Sequence, residues 1–347
     1  MTSRPCLDKG SLFHLSNRKP MLDGVSKSAF SNRPTGSASN ICDADDNLRR
    51  LAALRVRRQY DRRNDVTLYR GKCQSLLRRL GPQSVDLVLT SPPYNLGKSY
   101  ETRRSLEEYL KEMREILDLL AVVVKDRGTL CWQVGSVLVG PSRRPIPLDL
   151  LMYNDFVSRN FFVQNRIVWH FEHGKNRTSR LSGRHETLLW LTRDESSFTF
   201  NMNAIRAPQK YPAKKAYKGP RKGQYLSNPL GKNPGDVWIF PNVKQNHPEK
   251  TDHPCQFPFE LAERAIRAFS NKGDLVVDPF MGVGTTALAA AYFGRRFAGA
   301  ELVRAFVDVA EDRLEQLATG TLRLRRMNTP VHTPRGKLTI PPWSVET

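Results

Sequence analysis

The sequence predicts an α/β fold, and three features carry the prediction. Strand-like apolar runs alternate with amphipathic helical stretches from about residue 66 to about residue 318. A strand, a glycine turn and a helix follow one another over residues 275–293. The run Val85-Asp86-Leu87-Val88-Leu89 reads as a buried strand that stops in a proline-locked loop, Thr90-Ser91-Pro92-Pro93-Tyr94-Asn95.

Residues 1–64 are rich in Ser, Asn, Asp and Arg with little apolar periodicity, and 13 Lys/Arg against 6 Asp/Glu make them a basic, flexible extension. Its best helical stretch is 47–60. A strand at 66–69 and a short helix at 73–80 lead into the strand at 85–90. Ser105 and Glu108 form a capping box, and apolar residues recur at Leu106, Tyr109, Leu110, Met113, Ile116, Leu117 and Leu120, so a strong helix starts there. Gly128 introduces a strand at 129–134, and further strands are expected at 166–171 and 186–191. The window 201–250 breaks the pattern. It holds 10 Lys/Arg against 2 Asp/Glu, many Pro and Gly, and no clear apolar period, which makes it an insertion. Lys214, Lys215, Tyr217, Lys218, Arg221 and Lys222, flanked by Tyr211 and Tyr225, have the basic and aromatic chemistry of a nucleic-acid surface. The α/β pattern then returns as helix 257–269, strand 274–278, helix 285–293, strand 297–301 and helix 305–317. From Arg323 the tail is basic, proline-bearing and irregular.

Net charge is +21, which points to a polyanionic partner that would release counterions on binding. No run of 18 apolar residues exists, and the basic N-terminus lacks the apolar core of a secretory signal, so no membrane or export role is expected and the cytoplasm is the expected compartment. The five cysteines are scattered without a Cys-x-x-Cys pair, which argues against zinc and a disulfide framework; no metal is expected.

Two loops carry the chemistry. In Ser91-Pro92-Pro93-Tyr94, the prolines fix φ and remove amide donors, leaving carbonyls to face a ligand. A serine oxygen, an aimed carbonyl and an aromatic face suit a planar base with an exocyclic amine. In Asp278-Pro279-Phe280-Met281-Gly282-Val283-Gly284-Thr285-Thr286, glycines let the backbone approach a cofactor and the following helix offers free amides. The Walker pattern fails, because no Lys-Ser/Thr follows. Spacing alone leaves a dinucleotide open, since alanine at 287 is allowed there. Asp278 shifts the balance, because a carboxylate at the strand end suits an ammonium-bearing ligand better than a pyrophosphate. Glu301 ends the next strand, where an acid can accept both ribose hydroxyls.

Together these loops resemble those of the amino-group DNA methyltransferases, which use S-adenosylmethionine to methylate cytosine N4 or adenine N6. The family's Asp-Pro-Phe-x-Gly-x-Gly-Thr-Thr and Ser/Asp/Asn-Pro-Pro-Tyr patterns both stand intact here. The catalytic loop precedes the cofactor loop, with the basic window between them, which resembles the circularly permuted beta class. His253-Pro254, Gly235-Asp236-Val237-Trp238 and Arg184-His185-Glu186 also look like family segments. Gly71-Lys72 departs from the common Gly-Asp, so no adenine contact is assigned to Lys72. Pro254-Cys255-Gln256 mimics the cytosine-C5 nucleophile tripeptide, but it precedes the cofactor loop and lacks its partner motif.

The resemblance implies a Rossmann-like, mixed seven-stranded sheet with an inserted target-recognition region. Residues 65–200 would form the catalytic half, 201–250 the recognition insertion, 251–320 the cofactor half and 321–347 a basic tail. It implies a cofactor site at Asp278, Phe280, Gly282, Gly284, Thr285 and Glu301, and a catalytic loop at Ser91, Pro92, Pro93 and Tyr94. Ser91 Oγ and the Pro92 carbonyl would draw the target amine toward tetrahedral geometry, and Tyr94 would stack on the flipped base. Asn95 is expected to support the loop. A serine-led loop is commoner among the cytosine-N4 members, with adenine-N6 the alternative. An RNA or protein-glutamine methyltransferase, or a non-catalytic relative, ranks lower. Implied partners are double-stranded DNA and a cognate restriction endonuclease, with the protein a monomer or homodimer.

Overall fold

The computed structural model describes residues 46–98, 101–141 and 143–330; most of the basic leader and the end of the tail lie outside the described residues. A nine-stranded sheet has the order β1-β2-β11-β10-β3-β4-β8-β7-β9. Its centre is parallel: β2 (Val66–Arg70), β11 (Arg296–Glu301), β10 (Leu275–Asp278), β3 (Val85–Thr90) and β4 (Val124–Val134). An antiparallel pair follows, β8 (His185–Thr192) and β7 (Phe162–His170). These are the seven expected strands. Two short edge strands extend them, β1 (Val56–Arg57) beside β2 and β9 (Val237–Ile239) beside β7.

Central strands buried on both faces need continuous apolar runs, and β3 and β10 supply them. Leu87, Leu89, Val276 and Phe297 face one core, beneath α6 (Phe259–Phe269), α7 (Thr285–Tyr292) and α8 (Arg304–Ala318). Val85, Val88, Val277 and Ala298 face the other, under α2 (Cys73–Leu77) and α3 (Leu106–Val123). The chain leaves β10 through α7 toward β11 on one side, and leaves β3 through α3 toward β4 on the other. Connections diverging from neighbouring strands open a crevice at the strands' carboxyl ends, the usual ligand site of such sheets. Here those ends carry the two chemical loops. The permutation is visible in the pairing, because β2, early in the chain, lies beside β11 with Val66 opposite Phe297 and Arg70 opposite Glu301.

The capping box at Ser105 is present, with Glu108 N–H on Ser105 Oγ (3.1 Å) and Ser105 N–H on the Glu108 carboxylate (3.0 Å). Several elements differ from expectation. The helix expected over 47–60 spans 46–52 (α1) and stops before β1, which pairs with β2. Arg50 donates to the carbonyls of Ala291 and Tyr292, and Leu51 is buried, so residues from 46 onward pack on the domain. β4 begins at Val124, four residues before Gly128, because Val124 pairs with Val85 across an irregular register. A hairpin, β5 (Ser136–Val139) with β6 (Arg144–Pro147), and short helices α4 (Leu148–Leu151) and α5 (Tyr153–Val157) were not foreseen. The basic window is not wholly loop, since β9 buries Trp238 and a single 3-10 turn spans Met202–Ala204. The start of the tail is irregular but anchored on α6, with Arg325 on Glu260 (2.9 Å) and Arg326 on Glu263 (2.8 Å). No helix among the described residues is long and apolar enough to cross a membrane.

Candidate active site

β3 and β10 end side by side, and a cavity of about 350 Å³ opens beyond them, within the size range of small-molecule sites. Ser91, Pro92, Pro93 and Tyr94 line it from one side. Phe280, Gly282 and Thr285 line it from the other, and Glu301 and Leu302 from the end of β11.

The catalytic-loop side is held by a hydrogen-bond chain. Tyr94 donates its hydroxyl to Glu186 Oε2 (3.0 Å), and Gln133 Nε2 donates to the same oxygen (2.7 Å). Ser91 Oγ lies 3.1 Å from the Tyr94 hydroxyl. Because the phenol hydrogen is committed to Glu186, serine is the donor in that contact and its lone pairs remain available as acceptors. Burial and the Glu186 carboxylate push the Tyr94 phenol well above its usual range, and burial raises Glu186 too. The Tyr94 ring lies against Gly135, where a Cβ would come within 3.2 Å of it. Asn95 takes a left-handed φ of 56°, tolerable for Asn. Its side chain exchanges hydrogen bonds with the Arg104 backbone (2.8 and 2.9 Å), and Glu101 accepts the amides of Asn95 and Leu96. These bonds tie Asn95 to the segment that follows the loop, and Asn95 also lines the cavity.

The cofactor-loop side rests on the glycine turn. Gly282 and Gly284 have φ of 50° and 76°, where a side chain is strained. A Cβ on Gly284 would meet Ala310 of α8 at 2.8 Å, and one on Gly282 would press His253 at 3.2 Å. Gly284 itself does not line the cavity; it sets the turn that starts α7. Arg313 of α8 donates to the Val283 carbonyl (2.6 Å) and holds the turn from behind. His253 stacks edge-on against Phe306, and burial lowers its pKa to about 4. Glu301 Oε1 accepts the Val303 amide (2.8 Å).

Asp278 requires a correction. It is fully buried and absent from the cavity wall. Its carboxylate accepts the hydroxyls of Thr90 and Thr286 (both 2.7 Å) and the Phe280 amide (3.1 Å). Those donors occupy the oxygens expected to meet an ammonium-bearing ligand. Asp278 instead joins the end of the catalytic strand to the cofactor turn and its helix.

The DNA methylase family, N6 and N4 amino methyltransferases, matches residues 85–312. The chain belongs to that family. The Type II methyltransferase M.BglII of Bacillus subtilis is 46% identical over 243 residues, covering 70% of this chain and 67% of that protein. In fold, the PvuII cytosine-N4-specific DNA methyltransferase aligns with a TM-score of 0.57 at 19% identity, covering 76% of this chain and 96% of that one. TTHA0409, assigned as a DNA modification methylase of Thermus thermophilus and complexed with S-adenosyl-L-methionine, aligns at 0.51 and 27% identity, covering 73% and 96%.

As a DNA methylase, the protein uses S-adenosylmethionine, and the cavity fits it. The glycine turn, the first residue of α7, Phe280 and Glu301 all line the cavity. Lys72 also lines the wall, next to Gly71, whose amide donates to the Glu301 carbonyl (2.9 Å). Among the described residues, no group of three His, Cys, Asp or Glu is placed to hold a metal. The cavity wall also holds His253, Cys255 and Gln256, which sequence reasoning gave no site role. Gln133, Glu186 and Arg313 act behind the wall; Gln133 and Glu186 are polar residues in mostly apolar strand stretches, while Arg313 is one of many charged residues of α8 and carries no such signal. Lys214, Lys215, Tyr217, Lys218, Arg221 and Lys222 are all exposed, and none lines the cavity.

Proposed function

We propose that the protein transfers a methyl group to the exocyclic N4 of a cytosine flipped out of duplex DNA. The observation that carries this reading is the opening of a serine-led Pro-Pro-Tyr loop and the glycine turn into one cavity. S-adenosylmethionine, when bound, supplies an electrophilic methyl on a sulfonium. Ser91, Pro92, Pro93 and Tyr94 form the catalytic loop. Ser91 Oγ accepts one amine hydrogen and the Pro92 carbonyl the other. This localises the nitrogen lone pair, and Tyr94 stacks on the base. Phe280, Gly282, Thr285 and Glu301 hold the cofactor, while Asp278 and Gly284 shape the loop that does so.

The basic window 201–250 is the proposed target-recognition region, with Lys214, Lys215, Tyr217, Lys218, Arg221 and Lys222 on the DNA. The likeness to M.BglII, a Type II methyltransferase, supports a role as the modification enzyme of a restriction–modification pair. The proposed partner is a cognate endonuclease and the proposed compartment the cytoplasm. Adenine N6 is the second reading, because the matching family spans both bases and a serine hydroxyl serves either amine.

Tritiated S-adenosylmethionine should label duplex DNA, and nucleoside digestion should release N4-methylcytosine. Labelled N6-methyladenine would overturn the choice of base. Absence of transfer to any DNA would overturn the enzymatic reading.

A further inference from the structure

The β7–β8 connection, residues 171–184, lies outside both the cavity wall and the basic window. It carries Lys175, Arg177, Arg180 and Arg184 against a single acid, Glu172, and at its tip Leu181 is 95% exposed. The loop is braced. The Arg177 amide donates to Ser182 Oγ (3.0 Å), Arg184 to Asn176 Oδ1 (2.5 Å), and the Phe171 amide to the Arg184 carbonyl (2.9 Å). Arg180 reaches the Arg143 carbonyl on the neighbouring β5–β6 turn (3.3 Å). A leucine held fully in water on a braced, basic loop is covered by nothing among the described residues.

Position supplies the partner. β8 begins at His185, and Glu186, the next residue, grips the Tyr94 hydroxyl. Leu181 is five residues upstream, so its Cα stands within roughly 18 Å of the Glu186 Cα however the chain runs. Apolar side chains flanked by cations enter opened base steps, where the cations hold the phosphates and the apolar group replaces lost stacking.

We propose that Leu181 is the wedge of this enzyme. It fills the gap in the duplex left by the target base, while Lys175, Arg177 and Arg180 hold the flanking phosphates. The proposal rests on the DNA methyltransferase reading above and adds to it the element that keeps the base out.

Single-molecule sequencing of DNA methylated by the full chain first defines the target. Two oligonucleotide duplexes containing that target are then compared, one fully paired and one with an abasic site opposite the target base. L181A should lower kcat/KM on the paired duplex about tenfold or more, and should come within about twofold of wild type on the abasic one, where opening costs little. L181M should behave as wild type, and calorimetry should give unchanged cofactor affinity for both variants. Full activity of L181A on the paired duplex overturns the wedge, as does an equal loss on both duplexes; either result leaves the methyltransferase reading intact. If the wild-type chain methylates no DNA, that reading falls and the wedge falls with it.

Discussion

Asp278 and Glu186 are both carboxylates withdrawn from water, and their surroundings give them different work. Burial pushes Asp278 up to about 6 from 3.8, against the pull of its three hydrogen bonds. Its proton is held more tightly in the folded state than in the unfolded chain. The contribution to stability is therefore complete below about pH 4 and is lost as pH rises through about 6. Asp278→Asn, which keeps an acceptor oxygen, should flatten that part of a melting-temperature profile and retain cofactor binding. Asp278→Ala should flatten the profile too but lower the melting temperature and weaken cofactor binding, since Thr90 and Thr286 are left unpaired at the junction of the two loops. Calorimetric titration with S-adenosylmethionine separates the two variants. An ionised Glu186 accepts from both Tyr94 and Gln133 and so orders the Ser91–Tyr94 hydroxyl pair, and burial raises its pKa. Activity should fall as pH drops through that raised value, and Glu186→Gln should remove this acidic limb from the kcat profile. A limb that persists in the variant would assign it to another group. Ser91→Ala and Tyr94→Ala should each lower kcat by about a hundredfold or more while cofactor affinity stays within a factor of about two.

At the level of elements, the glycine turn is fixed by α8 as much as by its own sequence. Gly284 combines a φ of 76° with an Ala310 methyl 2.8 Å from where its Cβ would stand. Gly284→Ala should weaken S-adenosylmethionine binding at least about tenfold, through roughly 1–2 kcal/mol of backbone strain plus the clash. Adding Ala310→Gly relieves the clash alone, so binding should recover in part; full recovery would show that φ is unimportant. The turn itself was legible in the sequence because its residues are contiguous, and so was the capping box that starts α3. Arg313 was not, because its meaning depends on α8 packing behind a turn 30 residues away in the chain. The same reason hid Glu186 and Gln133, which meet Tyr94 only when β4, β8 and the catalytic loop come together. Asp278 was read correctly in position and wrongly in direction, because nothing in a linear motif says which side of a strand end its carboxylate faces. The hairpin β5–β6 was missed because Pro145 and Pro147 suppress an ordinary strand pattern and its pairing is local to that edge. β1 and β9 are too short for any period to register and exist by pairing with β2 and β7.

At the scale of the whole molecule, charge and topology divide the labour. The sheet delivers both loops to one crevice, while much of the excess positive charge lies on other segments: the 201–250 window (10 Lys/Arg against 2 Asp/Glu), residues 1–64 (13 against 6) and, to a smaller extent, the β7–β8 loop. In the window, Lys215 lies over the Tyr225 ring at 4.9 Å and Lys210 over Tyr211 at 5.5 Å, with the aromatic faces exposed. Such pairs keep cations at a surface while offering a platform for bases. If Lys214, Lys215, Lys218, Arg221 and Lys222 each neutralise a phosphate, their joint replacement by Ala should weaken DNA binding and reduce the slope of log Kobs against log salt. The expected change is about 0.9 per contact, up to about 4.5 in all. Fluorescence anisotropy across a salt series measures it. The cavity lies elsewhere, so cofactor affinity should not change. An unchanged slope would remove these residues from the DNA interface and leave the β7–β8 loop and the basic segment before β2 as the remaining candidates for the phosphate contacts.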